Sequence, residues 1–287
     1  MTVDKKTAAV NPAAGKAGPS RLVAQLYNVR DYCKAPADIA RSLKKIAKIG
    51  YSMVQISGIG PIAGEELAQA CAAAGVRAVG AHVSLADWEG KYAEKLAFLK
   101  TIGCRHAAVP SLPYDQRRDA AGWKASARRM DALAKKLAKD GVVLQYHNHH
   151  FEFEKFGGKT GLRILYDAAS NIQAEIDTCW VARGGGDPVQ WIYDMKGRMD
   201  QIHLKDTVIV NAEAPQVVDG KIENRMESQA RFAEIGSGNL NWPSILAACK
   251  KTGVKYYIVE QDADWIGGDP FKSLAVSYKF LAGFGLK

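Results

Sequence analysis

From Leu22 to Ala282 the chain passes eight times from a short apolar run to a segment of helical periodicity, and few folds accept that order. The strand-like runs are Leu22–Tyr27, Ser52–Ser57, Arg77–Val83, His106–Leu112, Val142–Tyr146, Ile172–Asp177, Gln201–Lys205 and Tyr256–Glu260. Helical patterns follow at Ala37–Ile49, Ala63–Ala74, Tyr92–Ile102, Ala120–Lys139, Gly161–Ala169, Pro188–Met195, Trp242–Lys251 and Pro270–Ala282. Gly50, Gly75, Gly103, Gly141 and Gly253 each close a helical stretch, where a left-handed residue is wanted. Asp187-Pro188 and Asp269-Pro270 supply an N-cap and then Pro at the first helical position.

Eight such units in about 250 residues predict an α/β fold, a (β/α)8 TIM barrel. A doubly wound sheet would need a Gly-rich phosphate turn after the first strand, and Gln25-Leu26-Tyr27-Asn28 offers none. The Gly184–Gly186 triplet lacks the spacing of a dinucleotide fingerprint. The reading is therefore one domain, residues 21–287, behind a flexible leader, residues 1–20, that lacks the apolar centre of a secretory signal. One long connection, Thr207 to Asn241, follows the seventh strand. Its charged middle (Lys221, Glu223, Arg225, Glu227) suits a flap over a polar ligand or a contact with a second subunit.

At 47% hydrophobic the 287 residues can bury the core such a barrel needs. The net charge of +9 is spread along helices (Lys44, Lys45, Lys48; Lys135, Lys136, Lys139), as on a solvated face, so no nucleic-acid partner is expected. Five widely spaced cysteines without a CxxC pair read as free thiols in a reducing compartment, and a cytoplasmic protein follows. No apolar run is long enough to span a membrane.

In such a barrel, function gathers at the C-terminal ends of the strands. Those ends carry Gln25 and Tyr27, His82, Gln145 with His147 and His149, Asp177, His203 with Lys205 and Asp206, and Glu260 with Gln261; the strand interiors read as apolar. Three of the six histidines fall between Gln145 and Glu152. Asp177, His203 and Glu260 each end an apolar run, so each would be costly to bury without a partner. A divalent cation shared with a fourth ligand from the fifth strand would satisfy all three; separate local ion pairs are the alternative. One imidazole with several carboxylate oxygens suits Mn2+, Mg2+, Co2+ or Fe2+, and Zn2+ less distinctively. His82 is either a substrate contact or a hydrogen-bonded structural residue. Tyr27 and Trp180 could wall a bound ring or simply pack, and Arg183 could orient Asp177 or bind an anion. His106, at the start of its strand, reads as structural.

Three motifs then narrow the field: Tyr146-His147-Asn148-His149 with Phe151-Glu152-Phe153; Ile176-Asp177-Thr178-Cys179-Trp180-Val181-Ala182-Arg183; and Ile202-His203-Leu204-Lys205-Asp206. With Glu234–Trp242, Val259–Asp262 and Gln25–Arg30, they resemble the sugar phosphate isomerase/epimerase branch of the xylose-isomerase-like barrels. The resemblance implies one divalent metal, Mn2+ first, held by Glu, Asp, His and Glu from the fifth to eighth strands. Asp177, His203 and Glu260 match the last three. Where the branch has its first Glu, this chain is read as having Gln145, so Glu152 is the expected substitute ligand.

The implied chemistry is removal of a proton next to the carbonyl of a keto sugar through an enediolate that the ion stabilises. His147, His149 and Glu152 are the candidate bases, and Lys205 is an acid or oxyanion-stabilising cation. Gln25, Tyr27, His82, Gln145, Trp180 and Arg183 are the candidate substrate contacts. Without the paired glutamates of the epimerases, β-elimination on a 3-keto-glycoside or inosose-type substrate is a close rival. A non-catalytic sugar-binding or partner subunit is a further one, and a DNA-repair endonuclease of the same barrel type fits poorly with six histidines and dispersed lysines.

Overall fold

The alternation closes on itself. A computed structural model describes residues 21–211, 217–218, 221–222 and 228–286. Its eight parallel strands are β1 (Leu22–Gln25), β2 (Met53–Ile56), β3 (Arg77–His82), β4 (His106–Val109), β5 (Val143–His147), β6 (Gln173–Asp177), β7 (Gln201–Leu204) and β8 (Tyr256–Val259). Each pairs with its sequence neighbours, and β8 pairs with β1, giving the (β/α)8 barrel that the sequence predicts. Around it lie α1 (Pro36–Ile49), α2 (Gly64–Ala74), α3 (Leu85–Thr101), α4 (Ala120–Lys139), α5 (Gly161–Ala168), α6 (Thr178–Arg183), α7 (Pro188–Asp194), α8 (Trp242–Thr252) and α9 (Pro270–Gly283). No helix among the described residues is long and apolar enough to cross a membrane. The leader, residues 1–20, lies outside the described residues, as do Glu223, Arg225 and Glu227.

Strand side chains alternate between the two faces, so each strand feeds two cores. Ala24, Val54, Leu144, Ile176, Ile202 and Val259 join the layer beneath the helices. Facing inward, Val23, Met53, Val79 and Ile258 form an apolar plug. Two residues further along, the inward positions turn polar: Gln25, Gln55, Gln145, Glu175, Gln201 and His203 are all 0% exposed. The expectation of apolar strand interiors fails here. Buried amides are tolerable when they bond one another, and Gln55 Nε2 donates to Glu175 Oε1 at 2.6 Å while Gln201 Nε2 donates to the Val79 carbonyl at 2.8 Å. Gly80 makes room for them, since a Cβ there would stand 2.8 Å from Gln201 Oε1 and 2.9 Å from Gln55 Nε2.

Helix punctuation follows the sequence. Gly75 (φ +72°) and Gly253 (φ +84°) are left-handed C-caps, and Asp187 and Asp269 accept backbone N–H bonds ahead of Pro-initiated α7 and α9. Three elements differ from the expectation. Helix α3 starts at Leu85, because Ser84 Oγ accepts the Asp87 N–H at 3.0 Å, and it kinks at Lys91. The short α6 is capped by Asp177 itself, whose Oδ1 accepts the Trp180 N–H at 2.9 Å. The connection after β7 opens as an antiparallel ribbon, Asp206–Asn211 against Ser228–Ala233, that returns Phe232 to the barrel mouth opposite Thr207.

Candidate metal centre

β5, β6 and β7 and the residue after β8 each deliver one ionisable side chain to a common point. Atoms of His147, Asp177, His203 and Glu260 all lie within 4.8 Å of one another, and all four residues are buried. His203 Nδ1 is 2.9 Å from Glu260 Oε2. His147 Nε2 is 3.5 Å from Asp177 Oδ2 and 3.9 Å from Glu260 Oε2, and it has no hydrogen-bond partner among the described residues. A buried nitrogen facing two carboxylate oxygens across such gaps is what a shared cation would satisfy. Two imidazoles and two carboxylates form a donor set of the kind that holds divalent first-row metals. The residues present therefore fit the expected ion.

Lys205, on the same inward line as Gln201 and His203, reaches this group from below the rim. Its ammonium, 1% exposed, is 3.0 Å from Asp177 Oδ2, 2.8 Å from Glu260 Oε2 and 2.9 Å from Asp262 Oδ2. Burial disfavours charge on all of these groups, but the opposed charges win. Lys205 is raised well above its ordinary value by Asp177 and Glu260 despite burial. Against the same burial penalty, Asp177 is lowered by Lys205, and Glu260 is driven well down by Lys205 and His203. Burial opposes the His203 imidazolium too, yet Glu175 and Glu260 raise its pKa to about 10. His147 goes the other way, lowered by burial and by His203.

The fourth position corrects the sequence reading. Glu152 is not a member of the group. It is 0% exposed in the loop after β5, where Oε1 accepts the Tyr146 hydroxyl at 2.9 Å and Oε2 accepts the His149 N–H at 2.8 Å. Burial pushes its carboxyl up to about 7. Both oxygens are thus bonded within the loop, and Glu152 lies outside the group of four. Gln145 is not a member either; it faces inward one step deeper, its Nε2 reaching the Ala174 carbonyl at 3.4 Å. Gln145 and His147 share the inward face of β5, and His147, as the strand's last residue, is the one that reaches the group.

The other predicted contacts divide into rim and interior. His149 lies at the mouth, stacked on Phe151 (5.1 Å, 7°) and edge-on to His147 (5.0 Å), with Nδ1 unpartnered. Burial brings its pKa down to about 3. Trp180 adjoins His149 (5.5 Å) and Phe232 (5.5 Å), with Lys205 Nζ 5.1 Å from its ring. Tyr27 is half-buried under the Arg30 guanidinium at 4.2 Å. Arg183 does not orient Asp177: it donates to Thr207 Oγ1 at 3.0 and 3.1 Å and lies 4.2 Å over Phe232, fastening the ribbon to α6. Gln25 sits in the interior, donating to Gln55 Oε1. His82 joins a second, deeper group with Glu175 and His203, and it also borders a cavity of about 590 Å3 between α2 and α3. His106 is at the opposite face, paired with Asp200, as its place at the start of β4 implies.

Sequence reasoning missed Glu175, Gln55, Asp262 and Phe232. Glu175 and Asp262 were findable by stepping two residues along the strand line from Asp177 and from Glu260; Gln55 and Phe232 enter only through the closed barrel and the ribbon.

A parallel eight-stranded barrel with an acid-and-imidazole group at its C-terminal mouth defines a class. The chain belongs to the xylose isomerase-like TIM barrel family, whose sequence model matches residues 43–282. Among solved structures it is similar to a sugar phosphate isomerase/epimerase from Parabacteroides distasonis (TM-score 0.74, 19% identity, covering 98% of this chain and 100% of that one). It is similar also to an L-ribulose 3-epimerase (TM-score 0.65, 16% identity, 93% and 94% covered). The rhizopine catabolism protein MocC of Rhizobium meliloti is 24% identical over 229 residues, 68% of this chain and 67% of MocC.

Proposed function

We propose that this chain is a divalent-metal-dependent isomerase or epimerase of a keto sugar or sugar derivative that removes a proton next to a carbonyl. The observation that carries the reading is the convergence of His147, Asp177, His203 and Glu260 on one point, with the His147 Nε2 lone site facing two carboxylates. These four residues would hold the ion, Mn2+ or a similar hard dication. When bound, it supplies Lewis acidity at the carbonyl oxygen and so lowers the barrier to enolisation. The carboxylates of Glu175, Asp177, Glu260 and Asp262 face one fixed cation, Lys205, once His203 gives up its Nδ1 proton to bind, so a dication suits the local charge.

His149, with an unpartnered Nδ1 edge-on to His147, is the candidate base; burial holds its pKa at about 3, so it can take a substrate proton only where the bound substrate's charge raises that value. Lys205, held as an ammonium by three carboxylates, would donate to a developing alkoxide. Trp180 and Tyr27 offer faces for an apolar sugar surface. The expected partner is a small carbohydrate, and five free, buried cysteines support the cytoplasmic setting.

The asymmetry of that set favours a second reading, β-elimination. No carboxylate comes from β5, and one ammonium is available to protonate a leaving oxygen. Proton NMR in D2O with the Mn2+-loaded protein and a panel of keto sugars and 3-keto-glycosides tests both. Solvent deuterium at the α-carbon without loss of a group is the expected result. A released alcohol or water would replace isomerisation by elimination. No exchange on any substrate, from a protein that also takes up no metal, would leave a non-catalytic barrel.

A further inference from the structure

The deeper polar group has no part in the proposed proton transfers, yet its carboxylate, Glu175, is buried and bonded through both oxygens. Glu175 is 0% exposed and sits two residues inward of Asp177 on β6. Its Oε1 accepts from Gln55 Nε2 at 2.6 Å; its Oε2 is 3.0 Å from His82 Nε2 and 3.3 Å from His203 Nε2.

A carboxylate beside Gln55 fixes that amide, because nitrogen must face the acceptor and oxygen must point away. Gln55 Oε1 then meets Gln25 Nε2 and, at 2.8 Å, His203 Nε2. An amide oxygen can only accept, so His203 Nε2 must carry a hydrogen. The nitrogen left for a ligand is Nδ1, and Nδ1 is the atom that faces Glu260. A histidine that binds a metal ordinarily donates its other N–H to a carboxylate or carbonyl oxygen, which sets the ring's tautomer and orientation.

We propose that Gln55 and Glu175 are positioning residues that lock His203 with Nε2–H turned inward and Nδ1 presented to the ion. The inference rests on the proposed metal centre and adds a division of labour: β2 and β6 aim a ligand that β7 carries. It also gives the second cluster of His82, Glu175 and His203 a supporting role, since a second ion there would need His203 Nε2 bare.

The test uses the full chain, stripped of metal and titrated with Mn2+ by calorimetry and by the EPR signal of free Mn2+. Wild type is expected to take one ion per chain. Glu175→Gln and Gln55→Ala are expected to weaken uptake by roughly 10–100-fold, and His203→Ala by more. On the Zn2+-loaded protein, 15N NMR of the His203 ring should report Nδ1 bound and Nε2 protonated in wild type, with that pattern lost in Glu175→Gln. Circular dichroism and thermal melts identify any variant that fails to fold; the ring assignment in wild type tests the proposed tautomer without the variants. Two ions per chain, Nε2 bound to the metal, or folded variants that bind as wild type would each overturn the inference while leaving the metal centre standing. A wild type that takes up no ion overturns the proposed function, and this inference with it.

Discussion

Nζ of Lys205 lies 2.8 Å from Oε2 of Glu260, the same oxygen that His203 Nδ1 reaches at 2.9 Å. The ammonium thus neutralises the carboxylates on which an ion would draw. Removing one member of a buried charge group leaves the others uncompensated, at about 3–5 kcal/mol. Lys205→Met should therefore lower the unfolding free energy of the metal-free protein by about that amount, and Mn2+ should restore more stability to the variant than it adds to wild type. Denaturant melts with and without Mn2+ measure both. Equal metal-free stability of the two proteins would contradict the buried-charge account.

What could be read from the chain divides along strand geometry. The barrel was legible because eight strand–helix alternations with capping glycines leave few alternatives. Asp177, His203 and Glu260 were legible because each ends a strand. The fourth member was not: Gln145 and His147 point the same way on β5, and only depth in the closed barrel, where Ala108 lies beside Gln145, separates the interior residue from the one that reaches the mouth. The polar interior was hidden for another reason. Gln25, Gln55 and Glu175 look like errors in apolar strands until closure brings their side chains across the barrel to one another.

Asp206 starts the ribbon, and its carboxylate accepts from the backbone N–H groups of Gly236 and Gly238 (3.0 Å each) and from Trp242 Nε1 (2.6 Å). It ties together three pieces of chain: the end of β7, the return loop and the start of α8. Hydrogen bonds to a charged group contribute about 1.5–3 kcal/mol each when one partner is deleted, though not additively. Asp206→Ala should cost about 3 kcal/mol or more, with the loss concentrated at the ribbon. Hydrogen exchange should then quicken at Gly236 and Gly238 while the amides of β2 and β5 stay protected. Uniform acceleration across the barrel would instead mean that Asp206 serves the whole fold and does not specifically anchor the ribbon.

At the opposite face, Asp200 joins β4, β7 and β8. It is 3.3 Å from His106 Nε2 and 2.9 Å from Lys255 Nζ. The hydrogen bond from His106, with Lys255 and against some burial, lowers its carboxyl from 3.8 to about 2. A carboxyl with a lower pKa in the folded state stabilises the fold above its unfolded pKa, and that contribution is lost as pH falls toward the folded value. Discounted for solvent screening, it is about 1 kcal/mol. Asp200→Asn removes the titrating group without changing its shape. Wild type should therefore exceed the variant by about 1 kcal/mol near neutral pH, and the gap should close between about pH 4 and about pH 2 as the wild-type carboxyl protonates. Urea melts across that range provide the comparison. A gap that stays constant with pH would mean that Asp200 acts through packing and hydrogen bonding alone, without its charge.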